Sequence, residues 1–171
     1  MMGTDYGVQA PGASQNTAGS LRAMSLSDVD RVAALEVLSF TTPWPRSAIE
    51  EELASNERAH YFVYLVDEKI LGYCGMWLIL DEGHITNLAI DPEARGKGHG
   101  QEMLSLFMKE AEALGAVALT LEVRSGNASA IHVYEKAGFV SMGVRKGYYL
   151  DSGEDALIMW KTLQRGDQFE R

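Results

Sequence analysis

The chain has 171 residues, which fits one domain whose folding buries roughly 70% of the surface of the unfolded chain. It carries 15 Lys and Arg residues against 24 Asp and Glu residues, and the net charge of −9 disfavours nucleic-acid binding and suits a basic partner. The single cysteine, Cys74, excludes an intramolecular disulfide, and the histidines lack metal-ligand spacing. No apolar run of membrane length and no export signal occur, so we expect a cytoplasmic protein with no metal and no membrane partner.

The N-terminal part predicts an extension, a short strand and two helices. Residues 1–20 contain no Lys or Arg and little to bury, so we expect a disordered or loosely docked extension. A strand over 21–24 leads to Ser27, a candidate N-cap for the first helix. The Pro-Trp-Pro segment 43–45 ends this helical region, and a second helix is predicted over 47–55.

Three strands are predicted next. They cover 61–66, 70–80 and 84–90, and the polar segment 67–69 joins the first two as a hairpin. Cys74 lies in the second strand, where no paired base is recognisable, so we interpret it as a buried structural thiol.

The segment after the third strand carries the strongest chemical signal. Residues 95–100, Arg-Gly-Lys-Gly-His-Gly, open directly into an amphipathic helix predicted over 101–114. Glycines let successive backbone N–H groups point into one concavity, and the helix start adds unpaired donors and the positive end of a dipole. Arg95 and Lys97 add mobile positive charge at the rim. The loop therefore predicts an enzyme that holds a pyrophosphate-bearing cofactor.

Two familiar phosphate loops do not fit this segment. The dinucleotide fingerprint needs a third glycine where Gln101 stands. The nucleoside triphosphate loop needs Ser or Thr after Gly-Lys, whereas Gly98 stands there, and Asp91 replaces its first glycine. The simplest alternative is a glycine-rich turn with solvated charges.

The C-terminal half predicts a strand, a helix and two further strands. Residues 119–124, LTLEVR, alternate in polarity, and Asn127 can cap a helix over 128–137. Gly138 is a candidate left-handed terminator of that helix. Strands over 139–145 and 155–163 complete the domain, and residues 164–171 are expected to form a C-terminal tail. Strands interleaved with helices in this way indicate a mixed sheet covered on both faces.

The glycine-rich loop resembles a known family. Arg95, Gly98 and Gly100 fill the fixed places of the pattern Gln/Arg-x-x-Gly-x-Gly/Ala, the acetyl-coenzyme A loop of the GCN5-related N-acetyltransferase (GNAT) superfamily. The spaced pattern LEVR, N, A, YE, GF resembles the ribosomal-protein-alanine N-acetyltransferases, as do Pro43-Trp44, the strand ending LAIDP and Tyr148-Tyr149. Gly96 and His99 depart from the family pattern at unfixed positions of the loop, and Pro45 departs from it directly after Trp44.

The resemblance covers about residues 21–163 and implies a single acetyltransferase domain there. The implied fold is α/β (α+β), a mixed and mostly antiparallel sheet of about seven strands flanked by about four helices, in which splayed strands admit the coenzyme. The implied reaction moves the acetyl group of acetyl-CoA to the N-terminal α-amine of a protein. The N-terminal alanine of a small-subunit ribosomal protein is the prime candidate acceptor.

This reaction needs a neutral amine, donors for the developing oxyanion and a proton for the departing thiolate. The resemblance implies that Glu122 is the general base and Tyr134 the general acid. Glu122 could instead be an exposed strand carboxylate paired with Arg124 or a neighbouring lysine, and Tyr134 could serve packing alone. A phenol can protonate a thiolate only if its surroundings help, for example by lowering the pKa of the phenol.

The resemblance also implies two sets of binding residues. Backbone groups at the end of the third strand should hold the pantetheine arm, the glycine-rich loop should hold the pyrophosphate, and the helix cap should hydrogen-bond the coenzyme. The residues expected to bind the coenzyme are Leu88, Ala89, Ile90, Arg95, Gly96, Lys97, Gly98, His99, Gly100, Gln101, Asn127 and Tyr134. Those expected to line the acceptor groove are Trp44, Tyr148 and Tyr149, for which simple packing is the alternative.

Two other functions remain open from the sequence. One is a GNAT enzyme that acetylates a small amine, such as a polyamine, an aminoglycoside or an amino acid. The other is a coenzyme-binding subunit without turnover. Glu122 and Tyr134 argue against the second because binding alone does not need them.

Overall fold

A computed structural model of the protein describes residues 17–163. The tail predicted over 164–171, and all of the predicted N-terminal extension except residues 17–20, lie outside the described residues. Within this range, α-helices lie at Val29–Ser39 (α1), Arg46–Ser55 (α2), His99–Ala113 (α3) and Ala128–Lys136 (α4). The strands of the same range are Ser20–Ala23 (β1), Ala59–Val66 (β2), Lys69–Ile79 (β3), Glu82–Ile90 (β4), Ala118–Arg124 (β5), Val140–Arg145 (β6) and Ala156–Thr162 (β7). No helix between residues 17 and 163 is long and apolar enough to cross a membrane.

The strands form one sheet that divides between its fourth and fifth positions. Their order is β1-β2-β3-β4-β5-β7-β6, and every neighbouring pair is antiparallel except β4 and β5. These two run parallel over three residue pairs only, the last of which joins His84 to Thr120. Beyond that point β4 pairs with β3 as far as Ile90, and β5 pairs with β7 as far as Arg124. The predicted mixed, mostly antiparallel sheet with splayed strands is therefore confirmed.

Each face of the sheet has its own buried cluster. One cluster, which includes Val32, Leu35 and Ile49, packs α1 and α2 against the sheet. The other packs α3 and α4 on the opposite face, and Phe107 of α3 lies at its centre with no exposed surface. Cys74 belongs to this second cluster, where burial raises the pKa of its thiol, so its predicted structural role is confirmed.

The apolar stripe predicted along α3 is the core face of that helix. Four of its members, Met103, Leu104, Phe107 and Ala111, are fully buried. Leu114 follows the helix and is 40% exposed, so it lies at the margin of the stripe rather than inside the core. Since the buried positions recur with helical spacing, the prediction of core packing is confirmed.

The start of the domain differs from the prediction in two details. Ser27 is not the N-cap of α1, because a short 3-10 turn at Leu26–Asp28 precedes the helix and Asp28 takes the cap position. The Asp28 carboxylate accepts from the Ser25 backbone N–H at 2.8 Å, and hydrogen bonds from Arg22 lower its pKa to about 2. In addition, Ser20 pairs with Leu65, so β1 begins inside the predicted extension.

Candidate active site

The glycine-rich loop connects β4 to α3 and is held open by its backbone conformation. Gly96 and Gly98 adopt left-handed φ values of 76° and 83°. A Cβ atom at either position would meet nothing within 4 Å, so backbone conformation and not crowding selects glycine there. The open side of the loop leaves space for a ligand that its amides could reach.

Helix α3 begins at His99, two residues before the predicted start, and Gly98 is its N-cap. In the first backbone hydrogen bond of the helix, the Glu102 N–H donates to the Gly98 carbonyl at 3.1 Å. The N–H groups of His99, Gly100 and Gln101 precede that bond, so they are the unpaired donors of the first turn. This arrangement suits an anion at the loop.

The two basic side chains of the glycine-rich loop, Arg95 and Lys97, have different surroundings. Arg95 is fixed rather than mobile, because its Nε donates to the Ile90 carbonyl at 3.1 Å and its Nη2 to the Ser39 hydroxyl at 3.3 Å. Lys97 is exposed, which leaves its ammonium group at the rim of the loop. The expectation of mobile charge is therefore wrong for Arg95, which ties the loop to the end of β4.

The side chains of His99 and Gln101 attach α3 to β2 and to α4. The Nδ1 atom of His99 lies 2.9 Å from the Tyr64 hydroxyl, and Gln101 Nε2 donates to the Val133 carbonyl of α4 at 3.4 Å. Asn127 caps α4 as predicted, since its Oδ1 accepts from the Ala130 N–H at 3.2 Å. The coenzyme contacts predicted for these three residues stay predictions.

The end of β4 offers one free edge. Leu88, Ala89 and Ile90 pair with β3 on one side, and their other edge faces the gap left by the divergence of β5. An extended amide-bearing arm could add to this edge as a strand would. A register shift opposite Gly75 and Met76 leaves Thr86 as an extra residue, and the bulge directs Asn87 towards α1.

Glu122 lies two residues beyond the last β4–β5 pair, beside the gap. Its side chain is 14% exposed, and its Oε2 lies 2.6 Å from His84 Nε2. Arg145 Nε lies 3.5 Å from the other carboxylate oxygen. The hydrogen bond from His84 lowers the pKa of Glu122, while burial opposes that shift. The alternative pairing with Arg124 is wrong, because Arg124 binds Asp151 instead.

His84 is a partner of Glu122 that sequence reasoning missed. The two residues are 38 positions apart and lie on the two strands that diverge. Because the carboxylate only accepts, Nε2 of His84 carries the proton of this hydrogen bond. The signal in the sequence was weak, since the parallel pairing that brings β4 beside β5 cannot be read from either strand alone.

Tyr134 lies on α4 among apolar neighbours and is 8% exposed. Its ring centroid lies 5.6 Å from that of Phe139. Burial raises the pKa of Tyr134, and the nearby ionisable groups of Tyr149 and Cys74 add to the shift. A lowered phenol pKa, which would have helped proton donation, is therefore not what the surroundings provide. The hydroxyl stays protonated and can act as a donor.

The three aromatic residues predicted for the acceptor groove lie in two loops. Trp44 belongs to the α1–α2 loop (residues 40–45) and packs, partly buried, against the α1 and α2 core. Tyr148 and Tyr149 belong to the β6–β7 loop (residues 146–155), where their rings meet edge to face with centroids 5.1 Å apart. Tyr148 is 45% exposed, so it is the most accessible of the three.

Glu36 is a second residue that sequence reasoning missed. It is 1% exposed on α1 and accepts from the Trp44 backbone N–H at 3.0 Å, from Asn87 Nδ2 at 2.8 Å and from the Tyr73 hydroxyl. Burial raises the pKa of Glu36, and the bonds from Trp44 and Asn87 oppose the shift. The carboxylate thus connects the α1–α2 loop to β4 one residue before the free edge.

These features define a class of enzyme. An amide-rich turn, a free strand edge and a carboxylate beside a gap in the sheet suit a donor that combines a diphosphate with an extended amide arm. Residues 29–139 match the acetyltransferase (GNAT) family. The chain belongs to this family and is an acetyl-CoA-dependent N-acetyltransferase.

Among members of the family, the chain is similar to enzymes that modify one ribosomal protein. It is 43% identical to a Bacillus subtilis (strain 168) protein provisionally named a [ribosomal protein bS18]-alanine N-acetyltransferase, over 86% of this chain and 97% of that protein. It is 33% identical to the [ribosomal protein bS18]-alanine N-acetyltransferase of Escherichia coli (strain K12), over 82% and 95% of the two chains. The crystal structure of the ribosomal-protein-S18-alanine N-acetyltransferase from Escherichia coli superposes with a TM-score of 0.78 at 28% identity, covering 90% of this chain and 99% of that one.

Proposed function

We propose that this enzyme acetylates the N-terminal α-amine of a protein, and that the N-terminal alanine of ribosomal protein bS18 is its first candidate substrate. The names of the relatives at 43% and 33% identity support this acceptor. The net charge of −9 supports a basic partner such as a ribosomal protein. The single observation that carries the proposal is the Glu122 carboxylate beside the free edge of β4.

The environment of Glu122 matches an α-amine better than a lysine side chain. An α-amine has a pKa of about 8, so a useful fraction is neutral near pH 7, whereas a lysine amine has a pKa of about 10.4. The hydrogen bond from His84 lowers the pKa of Glu122, which keeps it ionised but makes it a weak base. A weak base suffices for an acceptor that already loses its proton readily.

We assign the proton transfers to two residues. The acceptor nitrogen forms a bond to the thioester carbonyl carbon, the C–S bond breaks, and the proton lost by the nitrogen passes to Glu122. Tyr134 donates a proton to the departing sulfur. An N–H group on the free edge of Leu88–Ile90 stabilises the oxyanion between these two steps.

The test is a competition among acceptors. The purified protein is incubated with acetyl-CoA and a peptide bearing the bS18 N-terminus, and in parallel with spermidine and an aminoglycoside, and products are measured by mass spectrometry. We expect kcat/KM for the peptide to exceed that for any small amine by about a hundredfold or more. A peptide of the same sequence with a blocked N-terminus and an internal lysine is the control, and its acetylation would contradict the assignment.

A further inference from the structure

We propose that Arg124 is a positioning residue that determines acceptor specificity. With Asp151 and Thr41 it forms what we call the loop clasp, which holds the α1–α2 loop and the β6–β7 loop at a fixed separation. The proposal rests on the proposed function, because it assumes that the acceptor amine reaches Glu122 between these loops.

Arg124 shares a face of β5 with Glu122. Residues two apart on a strand point to the same side of the sheet and lie roughly 7 Å apart. The carboxylate that would accept the proton and the guanidinium of the loop clasp are therefore neighbours. Arg124 sits at the last β5 position paired with β7, so its backbone is fixed by the sheet.

The Arg124 guanidinium binds the β6–β7 loop through both carboxylate oxygens of Asp151. Nη1 and Nη2 donate to the two carboxylate oxygens of Asp151 at 3.1 and 2.8 Å, and Nη1 also donates to the Ser152 hydroxyl at 3.0 Å. The hydrogen bonds from Arg124 lower the pKa of Asp151. A bidentate pair of this kind fixes the orientation of the guanidinium relative to the carboxylate as well as their distance.

The same guanidinium sets the position of the acceptor aromatics. Its central carbon lies 4.0 Å from the centroid of the Tyr149 ring, and Tyr149 in turn meets Tyr148 edge to face. Arg145 lies 5.8 Å from the Tyr148 ring and also contacts Glu122. A lysine at position 124 could keep the charge, but it could not form the bidentate pair and stack on a ring at once.

Thr41 extends this anchor to the other loop. Its hydroxyl donates to Asp151 Oδ2 at 2.7 Å across 110 residues of sequence, and it lies 3.4 Å from Arg124 Nη2. Thr41 and Asp151 are both exposed, so their bond contributes little to the stability of the fold. What the bond does fix is the width between the two loops, and that width selects which acceptor reaches Glu122.

The first experiment compares Thr41→Val with Thr42→Val, its matched control. Both positions are exposed threonines of one loop, and only Thr41 contacts Asp151. We expect Thr41→Val to raise the KM of the bS18 peptide by about fivefold, the value of one hydrogen bond, and to leave kcat and the KM of acetyl-CoA within about twofold. Arg124→Lys should raise the peptide KM further, and Thr42→Val should leave it unchanged. Equal peptide KM values for Thr41→Val and the wild-type enzyme would overturn the proposal.

A second readout separates this proposal from the proposed function. In Thr41→Val, hydrogen–deuterium exchange should quicken by about threefold at the Tyr149 and Gly153 amides, although the substitution lies in the other loop. Unchanged exchange there would overturn the loop clasp whatever the acceptor is. Faster exchange together with no acetylation of the peptide by the wild-type enzyme would instead overturn the proposed function and leave the loop clasp standing.

Discussion

The proposed coenzyme side and the proposed acceptor side of this site are built by different means. The coenzyme side relies on backbone: left-handed glycines, the first-turn amides of α3 and the free edge of β4. The acceptor side relies on side chains brought together from distant segments, such as Arg124 with Asp151 and Glu36 with Asn87. The comparison teaches that local chain geometry is enough to build the proposed coenzyme site, whereas the proposed acceptor site depends on tertiary contacts between segments.

The largest expected effect separates catalysis from coenzyme binding. Glu122→Gln keeps the shape of the side chain and removes the base, so we expect kcat to fall by about ten- to ten-thousandfold. Coenzyme affinity should not change, because the amides proposed to hold the coenzyme lie at the start of α3 and not on β5. Steady-state kinetics measures kcat, and calorimetry measures coenzyme affinity. An unchanged kcat in this variant would contradict the assignment of Glu122 as the general base.

Tyr134→Phe tests the proposed acid. Loss of the hydroxyl should reduce kcat by about ten- to a hundredfold, because the thiolate must then leave without a proton. Phe preserves the ring and its packing against Phe139, so thermal stability should be retained. If kcat stays at the wild-type value, Tyr134 serves packing alone.

A pair of glycine substitutions tests the backbone-built side. Gly98→Ala forces a side chain into a left-handed conformation, which costs about 1–2 kcal/mol, so we expect acetyl-CoA affinity to drop by about tenfold as the loop relaxes. Gly100→Ala lies inside α3, where its Cβ would be 3.9 Å from Ile90, and should stabilise the helix by about 0.5–1 kcal/mol with coenzyme binding retained. Equal coenzyme affinities for the two variants would contradict this account of the loop.

The smallest expected effect concerns the ionisation of Glu122. His84→Ala removes the main cause of its lowered pKa, so the NMR titration midpoint of the carboxyl should move upward. A carboxyl with a lowered folded pKa contributes stability above its unfolded pKa and loses it as pH falls through the folded value. The stability difference between His84→Ala and the wild-type protein should therefore shrink towards acidic pH. His132→Ala, at an exposed position of α4, is the control and should leave the midpoint unchanged.

The sequence predicted the fold well because its signals are local. Alternating strands, the left-handed Gly138 after α4 and the glycine-rich start of α3 each follow from neighbouring residues. The cap of α1 was misplaced because both Ser27 and Asp28 are favourable cap residues, and the 3-10 turn at Leu26–Asp28 places Asp28 at the cap position.

The candidate site was predictable only in part, because only some of its contacts are local in sequence. Glu122 and Tyr134 came from a spaced motif, and Glu122 lies beside the gap because β5 carries it past the last pair with β4. His84, Glu36 and the Arg124–Asp151 pair could not be read from the sequence, because each depends on a partner from another segment. Residue spacing does not report such contacts until the sheet order is known.

Calorimetric titration with coenzyme A, with adenosine 3′,5′-bisphosphate and with pantetheine, of which only coenzyme A carries the diphosphate, tests the central claim most directly. If the amides of the loop and of the first turn of α3 hold the diphosphate, coenzyme A should bind at least about a hundredfold more tightly than either fragment. Equal affinity for coenzyme A and one of the fragments, or no binding of coenzyme A, would contradict this account.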